Sequence, residues 1–197
     1  VVYIECFGLN DDSVSLGFSK VSDEFKMIDS TFSTFRNDSK VSRYNSGALS
    51  ALDFSNEFIE IWKYCVSARK LTQGNFDAWG AGNYDPLGLI KGWAADRAIR
   101  ILRKNGAVSA LVNAAGDISV FGGYPKEGKI EPWRIGIRDP KDGQKIVKVI
   151  EKLEGSISTS GTYEKGAHIR DPKTGLPAIG ALSATVWGPD GALTEAL

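Results

Sequence analysis

The chain has 197 residues, enough for a packed core in one domain. Its 24 lysines and arginines balance 24 aspartates and glutamates, so no overall basic field exists to hold nucleic acid, and no local basic run supplies one. No apolar run reaches the roughly 18 residues of a membrane span, and 22 glycines with frequent turn signals point to many short elements rather than a helical bundle.

Val1–Phe7 reads as a strand, followed by a polar loop holding Asn10, Asp11 and Asp12. Val21, Phe25, Ile28 and Phe32 then recur at helical spacing, which predicts a helix from Ser19 to about Thr34. The polar segment Ser33–Ser46 interrupts that periodicity. Ser55 is a suitable N-cap for a second helix, with Phe58, Ile61, Trp62 and Cys65 on one face. A third helix is expected from about Lys91 to Lys104, with Ala94, Ala98, Ile101 and Leu102 as its inner stripe and Asn105-Gly106 as its stop.

Beyond Gly106 the pattern changes to period two. Val108–Val112, Asp117–Phe121, Trp133–Arg138, Lys145–Ile150 and Ser183–Trp187 read as strands, punctuated by Gly122-Gly123, Asp142-Gly143 and Asp190-Gly191. Helices early and strands late predict a single α+β domain: helices mainly in the first half, a largely antiparallel sheet in the second. Cys6 and Cys65 have neither CxxC spacing nor histidine neighbours, which argues against a metal site and favours two buried free thiols over a disulfide. The chain begins inside a strand-like run and stops at Leu197, so it is expected to be incomplete at both ends, and its lack of a signal peptide says little about location.

Five segments carry chemical potential. Asp85–Asp96, DPLGLIKGWAAD, brings Lys91 and Gly92 to the start of the third helix. Outward N–H groups and a positive dipole end suit an anion there, phosphate first, although a turn with a surface lysine reads equally well. Neither GxxxxGK[ST] nor GxGxxG is present. In Gly74-Asn75-Phe76-Asp77 the phenylalanine could stack on a flat ring beside an acid, or simply fill the core. Asn113–Asp117 permits close approach of a ligand or another backbone, or is a plain β-turn. Ser158–Thr162 offers four hydroxyls to a phosphate, or holds a turn through local bonds. His168, the only histidine, lies among acids and hydroxyls just after that cluster and has both a structural and a catalytic reading.

Taken in order, FSTFRNDSKVSRYN, GNFD, DPLGLIKGWAADRA, VNAAGDI, PWRIGIRDP and STSGTYEKGAHIRDPKTGLPA resemble the FAD:protein FMN transferases, the ApbE-type flavin transferases, from about Phe32 to Leu197. The resemblance implies cleavage of the FAD pyrophosphate and transfer of FMN to a threonine or serine hydroxyl of a target protein, with AMP leaving and Mg2+ assisting. Two phosphates, a charge-spreading cation and a positioned hydroxyl fit such chemistry. By the same resemblance Phe35 lies near a ring of the cofactor, and Asn75, Phe76, Asp77, Asp85, Lys91 and Ile169 contact FAD. Lys91 meets the pyrophosphate, and His168 touches the transferred phosphate or assists as acid or base. The Gly88 carbonyl is the implied metal ligand of the opening turn, since hard cations accept carbonyl oxygens.

The second metal segment of the family reads roughly ADALATA, with Asp and Thr as ligands. Glu195 falls on the Asp position, and the Thr position falls past Leu197. The longer glutamate shifts the carboxylate by about a bond length at a metal that tolerates distortion poorly. An FAD-binding protein without transfer, or an FAD pyrophosphatase releasing FMN and AMP, is therefore the alternative. The expected partner is a flavin-acceptor protein, and members of the family are often extracytoplasmic and membrane-anchored, others cytoplasmic.

Overall fold

The computed structural model describes residues 1–80, 82–161, 169, 171, 174–178 and 180–197. Strand β1 (Val2–Phe7) leads into helices α1 (Asp11–Phe32), α2 (Lys40–Asn45), α3 (Asn56–Leu71) and α4 (Leu87–Lys104). Strands β2 (Ser109–Ala114), β3 (Asp117–Phe121), β4 (Tyr124–Lys126), β5 (Lys129–Glu131), β6 (Trp133–Arg138), β7 (Ile146–Lys152), β8 (Gly155–Gly161) and β9 (Ser183–Gly188) follow, and α5 (Gly191–Ala196) comes last. This is the expected α+β arrangement.

Among the described residues the main sheet has the order β1-β2-β3-β8-β9, and every neighbouring pair in it is antiparallel. Two hairpins, β4–β5 and β6–β7, complete the strands. Side-chain alternation gives the sheet two faces with different partners. Ala110, Val112, Ala114 and Phe121 pack on Ala95, Ala98 and Leu102 of α4. Val120, Ile157 and Leu111 lie on the opposite face, under Trp133, Ile135 and Ile150 of the β6–β7 hairpin. The other side of α4 enters an aromatic helical core, where Trp93 meets the Phe32 ring edge-on at 5.6 Å beside Phe58 and Tyr84. Helix α4 is thus the shared wall between sheet and helices.

Several boundaries differ from expectation for local reasons. The Asn10 side chain accepts from Ser13 N (2.9 Å), and Asp11 and Asp12 occupy the first turn of α1, so the predicted polar loop is a capped helix start. Ser39 caps α2 inside the segment read as irregular. Ser55 does stand before α3, but its side chain makes no capping bond. Helix α4 starts at Leu87, because the Asp85 carboxylate takes the Leu87 N–H (3.0 Å); Lys91 therefore sits one turn inside the helix, not at its N-terminus. Ser158–Gly161, read as a turn, continues strand β8. The Ala115-Gly116 pair does form the tight β2–β3 turn, with positive φ at both residues (56° and 103°). Cys6 and Cys65 are free thiols, the first half-buried and the second buried.

Candidate functional site

At the foot of α4, three charged side chains from distant parts of the chain converge. The Lys91 ammonium donates to Asp117 Oδ2 at 2.5 Å and also to Glu195 Oε1. Glu195 Oε2 accepts from the Gly92 N–H at 2.7 Å. The Asp117 and Glu195 side chains are each only 6% exposed, whereas that of Lys91 is 42% exposed and keeps contact with solvent. Each element has a local reason to deliver its residue. Asp117 opens β3 just after the tight turn, on the face that meets α4. Lys91 and Gly92 lie on the same side of α4, and Glu195 lies on α5, which Asp190 caps by accepting from Leu193 N (3.0 Å).

Helices α4 and α5 touch backbone to backbone. A Cβ built on Gly92 would stand 2.6 Å from the Gly191 carbonyl carbon, and one on Gly191 would stand 2.8 Å from that of Gly92. Only glycine at both positions allows this crossing. It is the crossing that carries Glu195 to Lys91. One turn along, Asp96 accepts from Ser119 Oγ (2.6 Å), Ser156 Oγ (2.7 Å) and Gly191 N (2.6 Å). The Tyr64 hydroxyl donates to Asp190 Oδ2 at 2.5 Å.

Charge governs this cluster. Burial acts to lower the Lys91 pKa, but Glu195 and Asp117 outweigh it and leave the ammonium held above its ordinary range. Burial raises Glu195, and the like charge of Asp117 adds to that while Lys91 opposes it. Two buried carboxylates sharing one ammonium leave about one net negative charge, in a place suited to a further cation. Their oxygens are the donor type that a hard divalent ion takes. Among the described residues no group of three or more His, Cys, Asp and Glu side chains is spaced to hold a metal. A cation here would draw on carboxylate and backbone oxygens, and both Glu195 oxygens are engaged, one by Lys91 and one by the Gly92 N–H.

The remaining predicted positions fall around this centre to different degrees. Gly88 lies in the first turn of α4, with Phe76 packed so closely that a Cβ at Gly88 would meet Phe76 Cε2 at 3.0 Å. Phe76 is partly buried against the aromatic core, so it braces that turn. Asp77 accepts from Trp79 N (3.0 Å) and pairs with Arg69 (3.3 Å), and Asn75 is exposed beside it. Asp85 is exposed and holds the start of α4. Phe35 is 90% exposed, a ring without core packing. Ile169 borders a cavity of about 250 Å³ with Ser160 and Gly161 at the end of β8 and Ser183 and Ala184 at the start of β9. His168 lies outside the described residues. Asp117 was embedded in the small-residue junction but not singled out, and Asp96, Ser119 and Ser156 gave no signal beyond the acid that closes DPLGLIKGWAAD.

The ApbE family model matches residues 3–81 and 83–197. The chain belongs to the ApbE family. It is 37% identical over 109 residues to an FAD:protein FMN transferase of Klebsiella pneumoniae, a match covering 50% of this chain and 30% of that protein. A second, from Rhodobacter capsulatus, is 34% identical over 114 residues, covering 54% and 21%. The matched stretch thus covers less than a third of the length of either relative. Among solved structures, the ApbE protein of Thermotoga maritima superposes with a TM-score of 0.81 at 25% identity, covering 98% of this chain and 79% of that one. In this chain the Lys91 cluster occupies the junction of α4, α5 and β3.

Proposed function

We propose that this chain acts as an FAD:protein FMN transferase, moving FMN from FAD to a threonine or serine hydroxyl of a target protein and releasing AMP. The observation that carries the reading is Lys91, a cation gripped by two buried carboxylates yet open to solvent at the foot of α4. A nucleotide diphosphate arriving there meets the solvent-facing ammonium of Lys91, and a bound divalent cation would offset the excess negative charge of the two carboxylates behind it. In the transfer, the target hydroxyl oxygen bonds to the FMN phosphorus, the bond from that phosphorus to the bridging oxygen breaks, and AMP carries the bridging oxygen away. The hydroxyl proton passes to a base, for which His168 is the candidate. Bound Mg2+, held by Glu195 and the Gly88 carbonyl, would spread the negative charge that develops on the phosphates.

Other residues prepare the reaction. Lys91 orients the diphosphate; Asp117 and Glu195 keep its ammonium charged and aimed. Phe76 and Asp77 shape the loop beside the first turn of α4, where the cofactor would lie along Asn75 and Asp85. Ile169 lies against the cofactor from the β8–β9 side, and Phe35 offers a free ring face for stacking. The relatives' names, FAD:protein FMN transferase, support this substrate pair.

The test is FAD binding and AMP release by the wild type and Lys91→Ala, followed by fluorescence titration and chromatography. The variant should bind FAD at least about tenfold more weakly, the scale of one charge-assisted phosphate contact. Equal affinity in both proteins would remove Lys91 from the site. AMP release without an acceptor protein would replace transfer by hydrolysis.

A further inference from the structure

Helix α5 has six residues, too few to hold a helical register by its own hydrogen bonds. Ala192 and Ala196 pack it into the aromatic core beside α4, and two matched rungs tie its backbone to α4 in register. Gly191 N–H donates to Asp96 Oδ2 at one rung, and Gly92 N–H donates to Glu195 Oε2 at the other. Asp96 and Gly92 are four residues apart on α4, as are Gly191 and Glu195 on α5, so each rung is one helical turn from the next. The Gly92–Gly191 backbone contact lies between them.

Asp96 is bound more fully than its partner rung. One of its oxygens takes both Ser119 and Ser156, whose hydroxyls also lie 2.9 Å from each other. Among the described residues the other oxygen takes only Gly191 N–H. A single carboxylate therefore joins α4, β3 and β8 to the first residue of α5. Its aim is fixed by the two strands before α5 is engaged. The Asp190 cap and the Tyr64 hydroxyl hold the turn that precedes α5, but neither reaches α4.

We infer that Asp96 is a positioning residue that sets Glu195 against Lys91 by fixing the register of α5. It rests on the Lys91 cluster being the transfer site proposed above. Asp96 touches no ligand itself; it acts through Gly191 and one turn of α5. Without it the α5 backbone slides or rotates on the glycine contact, and Glu195 leaves Lys91 and Gly92. Lys91 remains to bind FAD, so the loss falls on turnover, where small displacements of reacting groups are costly.

The experiment compares Asp96→Ala, Asp96→Asn and Arg100→Ala with the wild type. Transfer from FAD with Mg2+ to an acceptor protein bearing a target threonine gives kcat and KM, and amide hydrogen exchange at Gly92 is read by NMR. Asp96→Ala should lower kcat by about 10- to 100-fold, with the KM for FAD moving less than about threefold. Gly92 exchange should accelerate well beyond that of Leu102 farther along α4. Asp96→Asn should restore most of both, because its carbonyl oxygen still accepts from Gly191 while the serine hydroxyls turn to accept from its amide. Arg100 is exposed and bonds only the Asp96 carbonyl (3.3 Å) among the contacts described, so Arg100→Ala should match the wild type. If Asp96→Ala does not fold, Asp96→Ser, too short to reach all three donors, takes its place with the same expectations. A folded variant with unchanged kcat and unchanged Gly92 exchange overturns the inference, and so does a loss confined to KM. Should the wild type itself transfer no FMN, the proposed function fails, and Gly92 exchange alone decides the role of Asp96: faster exchange sustains it and unchanged exchange overturns it.

Discussion

Gly92→Ala sets two known effects against each other. In an ordinary helix the change is favourable, since alanine exceeds glycine by about 1 kcal/mol in helix propensity. Here the new methyl would stand 2.6 Å from the Gly191 carbonyl carbon and 3.3 Å from Glu195 Cβ, while unstrained carbons rest about 3.5–4.0 Å apart. Helix α5 must therefore retreat by about 1 Å, the difference between those separations. That stretches the 2.7 Å Gly92–Glu195 hydrogen bond, a charged bond of about 1.5–3 kcal/mol. Overpacking adds about 1–3 kcal/mol. Less the propensity gain, the variant should be destabilised by roughly 1.5–5 kcal/mol. For a chain of this size that is a Tm drop of about 5–15 °C. Urea unfolding followed by tryptophan fluorescence measures it, alongside the turnover of FMN transfer, which should fall as Glu195 moves off Lys91. A variant as stable as the wild type would refute the tight α4–α5 crossing and leave only helix propensity.

Cys65 is fully buried, and burial pushes its thiol up to about 12 from the ordinary value near 9. The folded state then holds this proton where the unfolded chain has lost it, so the contribution is intact below pH 9 and disappears as the pH rises toward 12. The unfolding free energy from urea titrations should fall across that window by up to about 4 kcal/mol, and Cys65→Ala should flatten the fall; a parallel decline in the variant would assign it to other groups. Ala115 holds φ at 56° in the β2–β3 turn, so Ala115→Asn should raise stability by about 0.5–1 kcal/mol in thermal melts, and a lower Tm would contradict that turn geometry. The buried Ser109 hydroxyl has no hydrogen-bond partner among the described residues; Ser109→Ala should stabilise by about 1 kcal/mol, and destabilisation would mean the hydroxyl is satisfied.

What the sequence made legible follows from where the chemistry is local. The apolar stripe of α4 and the period-two runs of β3 and β6 announced themselves, because the residues facing each neighbour recur at the helical or strand period. The start of α4 was hidden by Pro86 and Gly88, which signal a turn unless the Asp85 cap is known. Strand β8 escaped because Ser156 and Ser158 take the helix-facing positions that apolar residues occupy in β2, which erases the hydrophobic alternation. Lys91 and Glu195 were each reached through resemblance, but their meeting was not. They lie 104 residues apart, and Asp117 is 26 residues from Lys91. Only the fold brings such positions together. Glu195, where the family pattern has an aspartate, reaches Lys91 and Gly92 because two glycines let α5 approach.

The most direct test of the account is transfer itself. The chain is incubated with FAD, Mg2+ and an acceptor protein carrying the target threonine, and the acceptor is denatured, separated and read for flavin fluorescence and mass. The account predicts one FMN covalently bound per acceptor, one AMP released for each, and loss of both in Lys91→Ala. A denatured acceptor without flavin, alongside FAD that remains intact, would contradict it.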